Sequence, residues 1–274
     1  MNNDTKQSFL DHELDINKYL NKAIRNYKFI IGFSIITASI AIALTFVISK
    51  KYVSQATLAN SSFFEYMSSQ QPNNGLNIGS LASIIPGNSS SNQEIMKTIQ
   101  IAQSRDFVLN FIEKYKIKSL IDFKESSMND LVYIEFLDFL DISLDDDTNL
   151  VAISFTDKSP KQAAIILNQY IEEINYYFAQ KDIAFANEII PALLEERAIA
   201  KSVDLKEILD GFIFKYVRKK TLAEIGNEYV FEIIDKPFSP DRHFYPRKSV
   251  FGILGLLFGA VISFFYVVIF FREK

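Results

Sequence analysis

Two long runs without a charged side chain decide most of what this chain can become. Phe29–Ile48 reads FIIGFSIITASIAIALTFVI, twenty residues, and Val250–Phe271 reads VFGILGLLFGAVISFFYVVIFF, twenty-two residues. As helices at 1.5 Å per residue they reach roughly 30 and 33 Å, which matches a hydrocarbon core about 30 Å thick. A helix satisfies its own backbone hydrogen bonds where there is no water, and an open strand or loop does not. Cations close each run: Arg25, Lys28, Lys50 and Lys51 around the first, Arg247, Lys248, Arg272 and Lys274 around the second. Their stems lie in the apolar layer while their heads reach the headgroups. The pattern predicts two membrane crossings. The first run exceeds the apolar core of a signal peptide, about 7–15 residues, so it reads as a retained signal anchor.

Short flanks set the orientation. The leading tail carries Lys6, Lys18, Lys22, Arg25 and Lys28, and the trailing stub is Arg272-Glu273-Lys274. Positive residues near crossings stay in the cytoplasm, which places both termini there. The expected organisation is a cytoplasmic tail over 1–28, a crossing over 29–48, a translocated domain over 49–248, a second crossing over 249–271 and a stub over 272–274. Lys50, Lys51, Arg247 and Lys248 work against this asymmetry.

Composition narrows the rest. A net charge of −4 offers no basic excess for nucleic acid, and the absence of cysteine leaves the translocated domain to stand on packing alone. Tyr52–Ala59 alternates and predicts a strand leaving the membrane. Ser68–Gln93 has loop composition around an apolar island, Leu81-Ala82-Ser83-Ile84-Ile85. Glu94–Ile117 has helical periodicity with a joint near Ser104-Arg105-Asp106, and a shorter helix is expected over Asn129–Phe139. Asp141–Leu144 and Leu150–Phe155 predict two strands around Asp145-Asp146-Asp147-Thr148-Asn149. Those aspartates lack calcium-loop spacing and suit a turn. Ser159-Pro160 opens a long helix by capping and first-turn proline. Pro191 predicts a kink or break in it, and Gly211 a weak point in the helical stretch that runs on to Glu224. That stretch either projects as a rod or folds back as a hairpin. Tyr229–Ile234 predicts a returning strand, and Pro237, Pro240 and Pro246 an extended path into the second crossing.

Chemistry is not written in the chain. It has no phosphate-binding glycine loop, no HExxH and no GxSxG, and its histidines, His12 and His243, fall on opposite sides of the membrane in this topology. Glu172-Glu173 and Glu195-Glu196 diverge as neighbours on a helix and suit a solvated face. No catalytic residue, cofactor or metal ligand is expected. What stands out instead is Gly252, Gly255 and Gly259 in the second crossing, which let another helix approach closely. Ser34, Ala38, Ala41 and Thr45 lie on related turns of the first. The partner is the other crossing, within or between subunits.

Several segments taken in order resemble the Wzz-type polysaccharide co-polymerases, the chain-length determinants of bacterial surface polysaccharides. They are Lys51-Tyr52-Val53-Ser54-Gln55-Ala56, Gly79-Ser80-Leu81-Ala82, and Ile101-Ala102-Gln103-Ser104-Arg105. Leu150–Phe155 followed by Ser159-Pro160-Lys161-Gln162-Ala163-Ala164 and Ile174-Asn175 continues the series. Pro237, Pro240 and Pro246 before a glycine-rich crossing complete it. Pro191–Asn227 departs from the pattern. The resemblance implies an α+β membrane protein of the inner membrane, with two transmembrane helices flanking a periplasmic α/β base domain that bears a long helical extension. It implies a non-enzymatic homo-oligomeric ring acting with the polysaccharide polymerase on a lipid-linked glycan such as O-antigen, in contact with membrane lipid. With the chain ending at Lys274, no cytoplasmic kinase domain is expected. The rival readings are an adaptor that activates a separate cytoplasmic tyrosine kinase in capsule export, an extracytoplasmic sensor, and a glycan-processing enzyme.

Overall fold

The computed structural model describes residues 23–61, 91–121, 123 and 128–270. Its helices are α1 (Tyr27–Leu44), α2 (Ser91–Ala102), α3 (Arg105–Lys114), α4 (Asn129–Phe139), α5 (Pro160–Ile199), α6 (Val203–Ile225) and α7 (Lys248–Phe270). Its strands are β1 (Tyr52–Asn60), β2 (Leu140–Leu144), β3 (Val151–Asp157) and β4 (Phe231–Asp235). The chain forms two units, one of residues 1–50 with 244–274 and the other of residues 51–243.

The first unit is an antiparallel pair, α1 against α7. Both helices are long and apolar enough to cross a bilayer, and only 6% and 17% of their most apolar windows are buried. A core helix of a soluble protein would be mostly covered. α1 stops at Leu44, short of the expected Ile48. The chain winds on through Thr45, Phe46 and Val47, whose amides bond three residues back to Ile42, Ala43 and Leu44. This tighter turn is a common way to satisfy the last carbonyls of a helix.

The second unit is built on a four-stranded antiparallel sheet in the order β2-β3-β1-β4. Alternation sends Val151, Ile153 and Phe155 of β3 and Ala56 and Leu58 of β1 into the core. The first half of α5 covers that face with Ala163, Ile166, Leu167, Tyr170, Ile171 and Ile174. Phe111 of α3 and Phe136 of α4 complete it; Phe111 meets Tyr170 edge-on with centroids 4.8 Å apart, and Phe136 lies 5.5 Å from Phe155. The β2–β3 connection is the turn that its aspartates favour. Asp145 Oδ1 accepts from the amides of Asp147 (2.9 Å) and Thr148 (3.4 Å), and Asn149 takes the left-handed φ of 57°. Those donors, Asp147 first, hold the Asp145 carboxyl below its ordinary value.

Ser159 Oγ caps α5 by accepting from the Gln162 amide at 3.4 Å, with Pro160 in the first turn. The break expected at Pro191 does not occur. α5 runs unbroken for 40 residues, roughly 60 Å. Pro191 and Asn187, whose carbonyl the missing N–H would have bonded, are both exposed, so water serves the freed acceptor. The turn comes instead at Ala200–Ser202, and α6 passes through Gly211 without interruption. Contacts between α5 and α6 settle the choice between rod and hairpin. Arg197 pairs with Asp210, Phe185 meets Tyr216 at 5.6 Å, and Lys219 Nζ lies 2.9 Å from Asp182. The extension is an antiparallel helical hairpin.

Other boundaries moved. Ser91, Asn92 and Gln93 belong to α2 rather than to the preceding loop; the helical stretch over Glu94–Ile117 divides at the expected joint near Ser104 into α2 and α3, and a 3-10 turn follows at Ile117–Ser119. The strand expected from Tyr229 begins at Phe231. The apolar island Leu81–Ile85 and His12 lie outside the described residues.

Candidate functional site

The glycines of α7 face α1 within the same chain. A methyl at Gly255 would stand 2.9 Å from the Ala38 Cα, and one at Gly259 would fall on Thr37 Oγ1 and lie 2.9 Å from the Ser34 Cα. At Gly252 it would meet the Ile42 side chain at 3.2 Å. Backbones this close admit no side chain at Gly255 or Gly259. Thr37 uses the proximity: its hydroxyl lies 2.9 Å from both the Ser34 and the Gly255 carbonyl oxygens, so it can link the two helices. Ser34, Gly255, Gly259, Ser263 and Val267 are buried in the seam, which Phe29 and Tyr266 extend by stacking at 5.8 Å. Small residues in the two runs pointed to this seam. Thr37 was missed, since threonine in an apolar run usually bonds only its own helix.

The proline segment divides between the units: Pro237 and Pro240 belong to the 51–243 unit and Pro246 to the helix pair. Its first part is tied to the sheet, where buried Ser54 donates to the Phe238 carbonyl at 2.8 Å. The returning strand is held more tightly still. Asn175 of α5 accepts the Val230 and Phe231 amides on Oδ1, each at 2.8 Å, and donates from Nδ2 to the Phe231 carbonyl at 3.0 Å. Its amide thus does for the start of β4 what a neighbouring strand would do, which is why β4 starts later than its apolar pattern predicts.

Other quoted segments also resolve into joints. Between α2 and α3, the Ala102 and Gln103 carbonyls accept from Tyr170 (2.5 Å) and Tyr133 (3.0 Å), Ser104 caps α3, and Arg105 bonds Asp130 at 2.8 Å. At the root of the hairpin Asp182 accepts from Lys219 at 2.9 Å and from the Tyr229 hydroxyl at 2.7 Å. Burial, then the Asp182 charge and hydrogen bond, push the Tyr229 hydroxyl well above its ordinary value. Burial also raises Glu94 and lowers Lys215, each offset in part by the other's charge. Among the described residues no group of three His, Cys, Asp or Glu side chains is placed to hold a metal.

These features define a class: two apolar helices, each long enough to cross a membrane, that pair with each other, and an antiparallel α/β unit with a helical hairpin. Residues 12–115 match the family described as Wzz: Chain length determinant protein. The matched stretch takes in α1, β1, α2 and α3 and makes this part of the chain similar to that family. No curated protein matches the sequence. Among solved structures, a "full-length bacterial polysaccharide co-polymerase" is 13% identical with a TM-score of 0.37, covering 90% of this chain and 94% of that one. A "Fragment of WzzB, Polysaccharide Co-polymerase from Salmonella Typhimurium" is 14% identical with a TM-score of 0.33, covering 72% of this chain and 100% of that one.

Proposed function

We propose that this chain is a non-catalytic regulator of polysaccharide chain length, acting as a homo-oligomer with the polymerase on a lipid-linked glycan in the bacterial inner membrane. Both termini then lie in the cytoplasm and the 51–243 unit in the periplasm. The family match over residues 12–115 carries this reading. The hairpin supports the oligomer. Ile199, Val203 and Phe214 are 67%, 78% and 68% exposed, and apolar side chains of that size call for cover from another surface. The seam supports a division of labour within the membrane. Gly255 and Gly259 are filled by the chain's own α1, so a polymerase would meet the outward face of α7, where Phe258 and Ile269 are exposed.

Deleting the gene and resolving surface polysaccharide on a gel tests the reading. The expected result is a ladder that loses its preferred length while polymer is still made. An unchanged ladder overturns chain-length control, and loss of all polymer assigns the chain to polymerisation or export instead.

A further inference from the structure

The helix pair has charges of one sign only. Among the described residues of this unit, 23–50 and 244–270, there are Arg25, Lys28, Lys50, Arg247 and Lys248 but no aspartate or glutamate. Lys50, Arg247 and Lys248 gather at the end where the chain enters and leaves the 51–243 unit, because α1 and α7 run antiparallel. None of the three forms an ion pair with a described residue. Two of them are instead held over exposed aromatic rings. Lys248 Nζ lies 4.3 Å from the ring centre of Phe46, and the Arg247 guanidinium carbon 4.6 Å from that of Phe244. Phe46 is 72% exposed and Phe244 52%.

A cation resting on a ring gains from the face of the ring and keeps its outer side open to an anion. Each ring is exposed apolar surface, so the cation it carries is held at the edge of that surface rather than free in solution. Ordinary flanking cations swing freely to find a headgroup; these two are positioned. They are also placed where the positive-inside tendency disfavours them, at the end opposite the short cytoplasmic flanks. An anion at that end would offset this.

We infer that Lys248 over Phe46 and Arg247 over Phe244 form a binding site for the phosphate of an anionic membrane lipid. The occupant is a lipid rather than a soluble anion, because the rings that carry the cations are themselves exposed apolar surface. The site rests on the reading that α1 and α7 span a membrane, and it deepens the proposed function, since a lipid-linked glycan presents the same phosphate chemistry.

The test titrates the detergent-purified full chain with phosphatidylglycerol and with phosphatidylcholine of identical acyl chains, counting bound lipid by native mass spectrometry. The wild type is expected to retain phosphatidylglycerol preferentially. Arg247→Gln with Lys248→Gln is expected to weaken that retention about 30-fold, from roughly tenfold or less per cation removed. Phe46→Leu, which keeps an apolar side chain but removes the ring face, is expected to weaken it a few-fold. Arg25→Gln with Lys28→Gln, at the other end, is expected to leave it unchanged. Equal loss from both double variants overturns the site, as does retention in the Arg247/Lys248 variant. Displacement by inorganic phosphate also overturns it, by assigning the site to a soluble anion. Extraction of the chain from membranes by alkali alone would instead sink the spanning reading beneath it.

Discussion

Replacing Asn175 with alanine removes the one side chain that joins the hairpin to the returning strand through three hydrogen bonds. Val230 and Phe231 are 0% and 1% exposed, so their amides and the Phe231 carbonyl lose their partners in a place water does not reach. An unpaired buried backbone group costs about 1–3 kcal/mol. The three share one side chain and do not add in full, so the expected loss is about 3–5 kcal/mol. Amide hydrogen exchange of the peptide over residues 229–235, in the full chain in detergent, reads it directly. Every 1.4 kcal/mol is tenfold, so protection should fall by more than about 100-fold. Asn168 is the control on the same helix: it is half-buried and its side chain donates to Glu172, at 2.6 Å, as its one hydrogen bond among the described residues, so Asn168→Ala should move stability by no more than about 0.5 kcal/mol. If Asn175→Ala leaves protection within twofold of the wild type, the strand start does not depend on this side chain and the reasoning fails.

Gly259→Leu should force α1 and α7 apart, because even its Cβ meets Thr37 and the Ser34 backbone, lowering the midpoint of SDS-induced unfolding. Gly32→Ala, with open space around it, should not lower it. Equal effects would remove the seam's meaning. Lys116 holds φ at 53° just after α3, a place where glycine is usual, so Lys116→Gly should raise stability by about 0.5–1 kcal/mol in urea unfolding; a loss would refute the strain. Alkali should unfold the 51–243 unit cooperatively. The hydroxyls of Tyr115, Tyr170 and Tyr229 are raised in the fold, Tyr115 to about 12, chiefly by burial. Their protonated forms therefore favour the folded state: stability is full below the unfolded value of about 10 and falls as pH rises through the folded values. The thermal midpoint should be flat to about pH 9 and decline above 10, less steeply in Tyr229→Phe. A midpoint unchanged at pH 11 contradicts this.

The sheet and its helices were legible because local signals agreed with the tertiary outcome. Asn129–Phe139 carried helical spacing and became α4, while Asp145–Asn149 carried turn formers and became a turn. Pro191 does not break the helix because the rule against interior proline assumes a freed carbonyl with no alternative donor. At Asn187 the alternative is water, and no local pattern reports which face of a 40-residue helix stays wet. The hairpin turn at Ala200–Ser202 has neither glycine nor proline. Only pairs that close across it, such as Arg197 with Asp210 and Asp182 with Lys219, reveal the fold-back, and those pairings span 13 and 37 residues. Long-range pairings of single charges leave no periodicity to read.

The seam presents a mixed case, in which residue type and partner helix were legible but not whether that partner belongs to the same chain. Small residues on both runs announce that the two helices approach closely, but they do not say whether the approach is within one chain or between two. Here Thr37 decides it, since its hydroxyl lies 2.9 Å from a carbonyl that the glycine at 255 leaves uncovered. Once that bond forms within the chain, the small faces of α1 and α7 are spent on each other. A second protein in the bilayer then meets bulky side chains such as Phe258, Val261 and Phe265, all more than half exposed. Helices that meet through such side chains stay farther apart than through glycine, so contacts with other proteins in the membrane should be weaker and more tolerant of substitution than the seam itself.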